Sequence, residues 1–226
     1  MGDMELMRRE NMDRRSDRNS GSEVVLSISM SLDGFINDRE GSVSSLYPDV
    51  DSLAHMDFVN DLMKATGAVV MGRRTFEMAE NPDDYADNYE YQVPIFVITS
   101  RAPERMPKQN DRLRFTFVED GVESAIRQAK EAAGDLQVTV VGGAKLAQLL
   151  IRMDLVDIIH VGIIPVMLGA GTRLFENLGR NEIPLQKLKI IDSESRIDIW
   201  YRVIREASMN RPESEMEYHR TSSRTS

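Results

Sequence analysis

The stretch Gln137-Val138-Thr139-Val140-Val141-Gly142-Gly143-Ala144-Lys145-Leu146-Ala147-Gln148-Leu149-Leu150-Ile151-Arg152 joins two kinds of chain through a pair of glycines. Its first part is β-branched and suits a pleated, buried strand. Its second part, residues 144–152, carries apolar residues at helical spacing. A buried strand that passes directly into a helix is the unit from which parallel α/β sheets are assembled. The same alternation extends in both directions. Further strand-like runs are VVLSISMS (24–31), AVVMG (68–72), PIFVITS (94–100), LRFTFVE (113–119) and DIIHVGIIPV (157–166). Helix-like stretches lie at 52–65, with Leu53, Met56, Val59, Leu62 and Met63 on one face, and at 121–133. Near-continuous apolar strands predict burial on both faces of a parallel or mixed sheet. Segments 186–193 and 197–205 flank Ser193-Glu194-Ser195-Arg196 and predict an antiparallel hairpin at the sheet edge.

The chain has 226 residues, a formal net charge of −9 and no cysteine. Disulfides, thiolate nucleophiles and Cys-ligated metals are excluded. The acidic balance argues against nonspecific nucleic-acid binding. No apolar run is long enough to cross a bilayer as a helix. The first residues lack the apolar segment of a signal peptide, and Leu6 breaks the myristoylation pattern. A cytoplasmic location is expected, with no membrane or nucleic-acid partner. Residues 1–21 and 206–226 are polar and aperiodic and are expected to be disordered tails. Residues 22–205 are the length of one domain. His55, His160 and His219 show no metal spacing, so no metal site is expected; His160, inside a strand-like run, reads as a hydrogen-bonded core residue.

Three strand ends carry groups suited to phosphate. Gly72-Arg73-Arg74-Thr75 follows a buried strand and opens a short helix, where free backbone N–H groups attract anions. Ile98-Thr99-Ser100-Arg101 ends a strand in two hydroxyls and a guanidinium. Gly142-Gly143-Ala144-Lys145 ends another in glycines that let a ligand approach the backbone. Each alone serves equally well as a plain turn. In an open α/β sheet, ligands sit beyond the carboxyl ends of the strands, and three such ends together suit a dinucleotide. Ser31-Leu32-Asp33-Gly34 reads locally as a turn. Pro165-Val166-Met167-Leu168-Gly169-Ala170-Gly171-Thr172-Arg173-Leu174-Phe175 either permits close ligand approach or reverses the chain.

Taken in order, these segments resemble the dihydrofolate reductase-like superfamily from Val24 to Val203. Within it they are most similar to the reductase domain of the riboflavin-biosynthesis deaminase-reductase, the RibD C-terminal domain, and its stand-alone relatives. Ser31-Leu32-Asp33-Gly34 and the Pro-x-x-Leu-Gly-x-Gly-x-x-Leu-Phe segment carry that judgement. The resemblance implies a single-domain α/β fold with a mixed, mostly parallel central sheet, flanking helices and a C-terminal antiparallel hairpin. It implies NADPH, a homodimer, and hydride transfer to a small heterocyclic substrate such as 5-amino-6-(5-phosphoribosylamino)uracil. Dihydrofolate reduction and a non-catalytic NADPH-binding module are the alternatives.

The cofactor residues it implies are Gly72, Arg73, Arg74, Thr75, Ser100, Arg101, Gly142, Gly143, Ala144 and Lys145. Ser31, Asp33 and Thr172 are the expected substrate contacts, and Asp57 the expected acid or water-positioner. The loop from Asn37 to Asp51 has no Trp, where folate reductases carry a Pro-Trp pair. Glu80-Asn81-Pro82 stands about one residue from the family's Asp-Asn-Pro.

Overall fold

In the computed structural model, residues 22–48, 57–179 and 182–205 are described, Asp57 by its backbone only. Both expected tails lie outside the described residues, as do residues 52–56 at the front of the first expected helix. The elements run β1 (Val24–Ser31), α1 (Asp57–Ala65), β2 (Thr66–Gly72), α2 (Arg73–Phe76), α3 (Tyr85–Asn88), β3 (Ile95–Ile98), β4 (Phe115–Val118), α4 (Val122–Ala133), β5 (Gln137–Val140), α5 (Ala144–Arg152), β6 (Ile158–Ile164), β7 (Leu185–Asp192) and β8 (Ile197–Val203).

The strands form one sheet in the order β4-β3-β2-β5-β1-β6-β8-β7. The first six are mutually parallel. β8 runs antiparallel to β6 and to β7, so the expected hairpin closes one edge of the sheet. Adjacent residues Val69 and Val70 are both fully buried, because each face of β2 is covered. One face packs Leu26, Val70, Val140 and Val161 against Ala125, Ile126 and Ala129 of α4 and Leu146, Leu150 and Ile151 of α5. Leu150 has no exposed surface; truncating such a residue to Ala costs about 2–5 kcal/mol. The opposite face packs Val69, Met71, Ile95 and Val97 against Phe76, Tyr85, Tyr91 and Phe115. This second face becomes polar toward β1, β6 and β8.

The stretch 80–93 reads as a loop from sequence, yet it contains a short turn at Pro82–Asp84 and the helical turn α3. Asn81 caps the first by accepting from the Asp83 N–H at 3.2 Å, and Pro82 sets the first helical position. Tyr85 then buries its ring, stacked on Phe76 at 5.7 Å between centroids. Local polarity hid this element, because it is held by tertiary contacts: Tyr85 also meets Phe115 edge-on at 5.6 Å, and Asn110 donates to Ala86 O at 2.8 Å. Asp83 is likewise more than a solvated loop residue: it accepts from the Lys108 N–H at 2.7 Å and pairs with Arg105. The methionines near 56–78 read from sequence as core filler, yet Met78 is 55 % exposed.

Candidate functional site

Parallel strands aim their carboxyl ends toward one edge of the sheet, and three expected turns meet there. β2 ends at Gly72, whose extended backbone caps α2. Arg73 and Arg74 stand exposed on that turn, and Thr75 faces inward, half-buried. β5 passes into Gly142, at φ +130°, and the Gly142–Gly143 peptide is cis. A side chain on Gly142 would begin 3.5 Å from Thr75 Oγ1, and one on Gly143 3.8 Å from it. The β2 and β5 turns are therefore in contact. Ala144 opens α5 but is itself buried, so it offers only its backbone N–H. Lys145 is exposed.

β3 supplies the third turn. Thr99 Oγ1 donates to Arg101 O at 2.8 Å and accepts from the Arg101 N–H at 3.2 Å, which curls the chain after the strand. Ser100 is left exposed at its tip. A shallow cleft opens between the β2 and β3 turns, lined by Arg73, Phe76, Glu77, Thr99, Arg101, Pro103 and Phe117. Both guanidiniums have exposed carboxylate partners, Arg73 with Glu77 at 2.6 Å and Arg101 with Glu104 at 3.4 Å. Exposed pairs of this kind contribute about 0–1 kcal/mol, so an entering phosphate can take either arginine from its partner.

A second cluster lies beyond β1 and β6. Asp33 accepts from Ser31 Oγ at 2.6 Å, from the Leu168 N–H at 3.1 Å and from the Gly169 N–H at 2.7 Å. The Ser31 hydrogen bond, with those from the two backbone amides, lowers its pKa from 3.8 to about 2. Its carboxylate staples the β1 loop to the segment after β6. Asn37 accepts from the Thr172 N–H at 2.9 Å, and Arg173 lies over the Phe35 ring at 4.5 Å. Thr172 lies partly exposed at the surface of this seam, whereas Ser31, an expected substrate contact, has no exposed surface and spends its hydroxyl on Asp33 and the Phe35 N–H, so it supports the seam from within. Asp57 begins α1; its side chain lies outside the described residues.

The polar part of the second face adds a network that sequence reasoning missed. Asp198 on β8 and Arg196 in the turn just before it are buried, with Arg196 Nε 3.0 Å from Asp198 Oδ2. Arg196 Nη2 donates to Ser29 Oγ at 2.9 Å. His160 contacts Asp198 Oδ1 through Nε2 at 2.9 Å and Ser27 Oγ through Nδ1 at 2.8 Å. Burial lowers the His160 pKa, against the opposing pull of Asp198. The neutral ring therefore donates from Nε2 to the carboxylate and accepts the Ser27 hydroxyl at Nδ1. Trp200 stacks on it at 4.0 Å, and Phe58 of α1 meets both rings edge-on.

The sequence profile of the RibD C-terminal domain matches residues 22–198. The chain belongs to the RibD C-terminal domain family. It is 27 % identical over 163 residues to the uncharacterized protein YwjB of Bacillus subtilis, which covers 72 % of this chain and 87 % of YwjB. A Shewanella sp. PV-4 protein provisionally assigned to riboflavin biosynthesis superposes with a TM-score of 0.65 at 22 % identity, over 81 % of this chain and 99 % of that one. Dihydrofolate reductase from Enterococcus faecalis, solved with NADP(H) and RAB-propyl, superposes with a TM-score of 0.52 at 17 % identity, over 81 % and 97 % of the two chains. The dihydrofolate reductase-like architecture expected from the sequence is the one observed.

In this RibD C-terminal domain the matched segment includes every expected cofactor and substrate residue. Arg196 and Asp198 fall at its end, the first in the expected hairpin turn and the second at the start of the strand-like segment after it. Their signal was the alternation Arg196-x-Asp198-x-Trp200, which puts all three on one face of a strand. No helix among the described residues is long and apolar enough to cross a membrane. No group of His, Asp and Glu among the described residues is suited to hold a metal ion.

Proposed function

We propose that this RibD C-terminal domain protein is an NADPH-dependent reductase that transfers hydride to a small heterocyclic substrate, in the manner of 5-amino-6-(5-phosphoribosylamino)uracil reductase. The observation that carries this reading is the convergence of three turns at one sheet edge. Two guanidiniums flank a cleft there, beside a glycine pair whose missing side chains leave room against Thr75. The fit to a phosphorylated dinucleotide is chemical: Arg73 and Arg101 offer donors to phosphate, and Phe76, Phe117 and Pro103 offer an apolar wall. Gly142 and Gly143 leave their backbone open to the diphosphate, and the N–H groups at the start of α5 face the same turn.

NADPH, when bound, supplies the hydride; the protein supplies position and electrostatics. Arg73, Arg74, Ser100 and Arg101 bind the phosphates, with the 2′-phosphate on the arginines. Thr75 and Lys145 flank the glycine turn. Thr172 contacts the substrate at the seam, with Asp33 shaping it and the buried Ser31 holding Asp33 in place. Asp57 is retained as the proposed proton donor or water-positioner. The reading extends to a cytoplasmic homodimer. Support for self-association comes from β7, an edge strand that exposes Leu185, Leu188 and Ile190, since such edges pair readily with another strand.

The test is titration with NADPH and with NADH, followed by nicotinamide fluorescence and Tm. NADPH-selective binding, then NADPH oxidation with 5-amino-6-(5-phosphoribosylamino)uracil, is the expected result. Binding of neither nucleotide would overturn the reading. Tight NADPH binding with no oxidation across uracil, pteridine and carbonyl substrates would favour the non-catalytic module.

A further inference from the structure

The cleft between the β2 and β3 turns has walls from two different parts of the chain. Arg73 and Phe76 stand on α2, and Arg101 and Pro103 stand on the connection from β3 to β4. That connection, residues 99–114, contains no helix or strand. A connection this long with no regular structure is functional or disordered, and this one is tied down by side chains.

The ties converge on one short segment. Asp83 accepts from the Lys108 N–H at 2.7 Å and pairs with Arg105. Asp87 pairs with the Lys108 ammonium at 2.7 Å. Asn110 donates from Nδ2 to Ala86 O and to Gln92 Oε1, both at 2.8 Å. Gln92 donates in turn to Tyr89 O at 2.8 Å. The same segment holds the opposite wall. Tyr85 stacks its ring on Phe76 at 5.7 Å and donates from its hydroxyl to Phe76 O at 3.4 Å. Asp83 and Asp87 therefore grip one wall, and Tyr85, between them in sequence, grips the other. None of the three lines the cleft.

The placement of Arg101 depends on this grip. Its own partner, Glu104, is almost fully exposed, and such a pair fixes a side chain only weakly. Thr99 curls the backbone at Arg101, and the next ties to the rest of the fold are Glu119 at Ala102 and Asp83 at Arg105 and Lys108. A donor held in place before binding loses less freedom when an anion arrives.

We propose that residues 81–92 form a brace that sets the separation of the two cleft walls, and that Asp83 is a positioning residue that favours a 2′-phosphorylated dinucleotide by holding Arg101 in place. The inference rests on the proposed function for the identity of the ligand. It adds a residue outside the cleft that decides how firmly the ligand is held.

The test is titration with NADPH and with NADH of the full chain and its Asp83→Ala, Asp83→Asn, Arg101→Ala and Asp83→Ala/Arg101→Ala variants, followed by nicotinamide fluorescence. Tm and the rate of trypsin cleavage are measured on each. Asp83→Ala is expected to weaken NADPH at least fivefold and NADH less than twofold, and to lower Tm by less than about 4 °C. Asp83→Asn, which keeps an acceptor for the Lys108 N–H and loses the charge opposite Arg105, is expected to fall between Asp83→Ala and wild type. In the Arg101→Ala background, Asp83→Ala is expected to add less than twofold, because the two residues act as one unit. Trypsin is expected to cut at Arg101, Arg105 and Lys108 several-fold faster in Asp83→Ala than in wild type. NADPH affinity within twofold of wild type in Asp83→Ala would overturn the role of Asp83. So would equal weakening of the two nucleotides, or an undiminished effect in the Arg101→Ala background. Binding of neither nucleotide by the wild type would remove the proposed function and the selective role with it. Cleavage would then decide the brace: a faster rate in Asp83→Ala keeps it, and an unchanged rate overturns it.

Discussion

Thr75 Oγ1 lies 3.5 Å from the place where a side chain on Gly142 would begin, although the two residues belong to different strand-to-helix crossovers. Gly142 also holds φ +130°, a conformation that costs an L-residue about 1–3 kcal/mol. Gly142→Ala is therefore expected to lower Tm by roughly 2–12 °C for a domain of this size. It should also weaken NADPH at least tenfold, because the new methyl group stands where the nucleotide is proposed to rest. Thermal melts and NADPH titration check both effects. Unchanged NADPH affinity would remove the glycine turn from the binding surface.

Arg73 and Arg101 line one cleft from two strand ends. Arg73→Ala and Arg101→Ala each remove a charged donor, an interaction of about 1.5–3 kcal/mol when made to an anion. Each is expected to weaken NADPH roughly tenfold or more and NADH by much less. Equal weakening of the two nucleotides would move the 2′-phosphate elsewhere. Arg74, exposed on the same turn but outside the lining of the cleft, is assigned to the same phosphates, so Arg74→Ala is likewise expected to weaken NADPH more than NADH.

Asp33 ties the Ser31 loop to Leu168 and Gly169. Its folded pKa, about 2, lies below the ordinary 3.8. The carboxylate's contribution is thus complete above pH 3.8 and is lost as pH falls toward 2. Asp33→Asn is expected to lower Tm at neutral pH and to speed proteolysis within residues 166–173. Its stability should also fall less steeply than wild type between pH 4 and pH 2.

His160 gives the acid limb at milder pH. It faces Ser27 on β1, Asp198 and Trp200 on β8, Phe58 on α1, and the charges of Arg196 in the turn before β8 and of Lys189 on β7. Burial lowers its folded pKa below the ordinary 6.5. The unfolded chain therefore takes up the proton first, and the stability from a neutral His160 is complete above pH 6.5 and lost as pH falls below it. Tm should decline from pH 7 to pH 5, and His160→Gln should flatten that decline. A wild-type Tm that is constant over this range would contradict the neutral assignment.

Gly162 and Arg196 make a second tight pair, with 1.7 Å between a Cβ built on the glycine and Arg196 Nη2. Gly162→Ala should cost about 1–3 kcal/mol, as overpacking of a filled interior does. Chemical denaturation measures the loss, and stability within about 0.5 kcal/mol of wild type would contradict the tight fit of Arg196 against Gly162.

Much of the architecture was legible from local pattern. The runs at 68–72 and 137–143, with helical spacing at 121–133 and 144–152, place β2, β5, α4 and α5 within three residues of their observed bounds. The hairpin around Ser193–Arg196 was legible for the same reason, since turn and strand signals are local. The exception was α3, whose helical turn depends on the packing of Tyr85 against Phe76.

The sequence by itself determined the strand–helix alternation, the three glycine- or arginine-bearing strand ends, and the resemblance that family membership bears out. Backbone preference and side-chain period act over a few residues, so these features can be read without contacts. Only the tertiary structure decided that Arg73 and Arg101 share a cleft, and that Thr75 touches the Gly142 turn. It alone showed that the Asp33 carboxylate is committed to Ser31, Leu168 and Gly169. The Arg196–Asp198–His160 network is the fullest case. It exists because β6 and β8 pair antiparallel with Gly162 opposite Asp198 and His160 opposite Trp200. That register joins residues distant in the chain, and the charge of Arg196 on a hairpin turn gives no sign that folding will bury it.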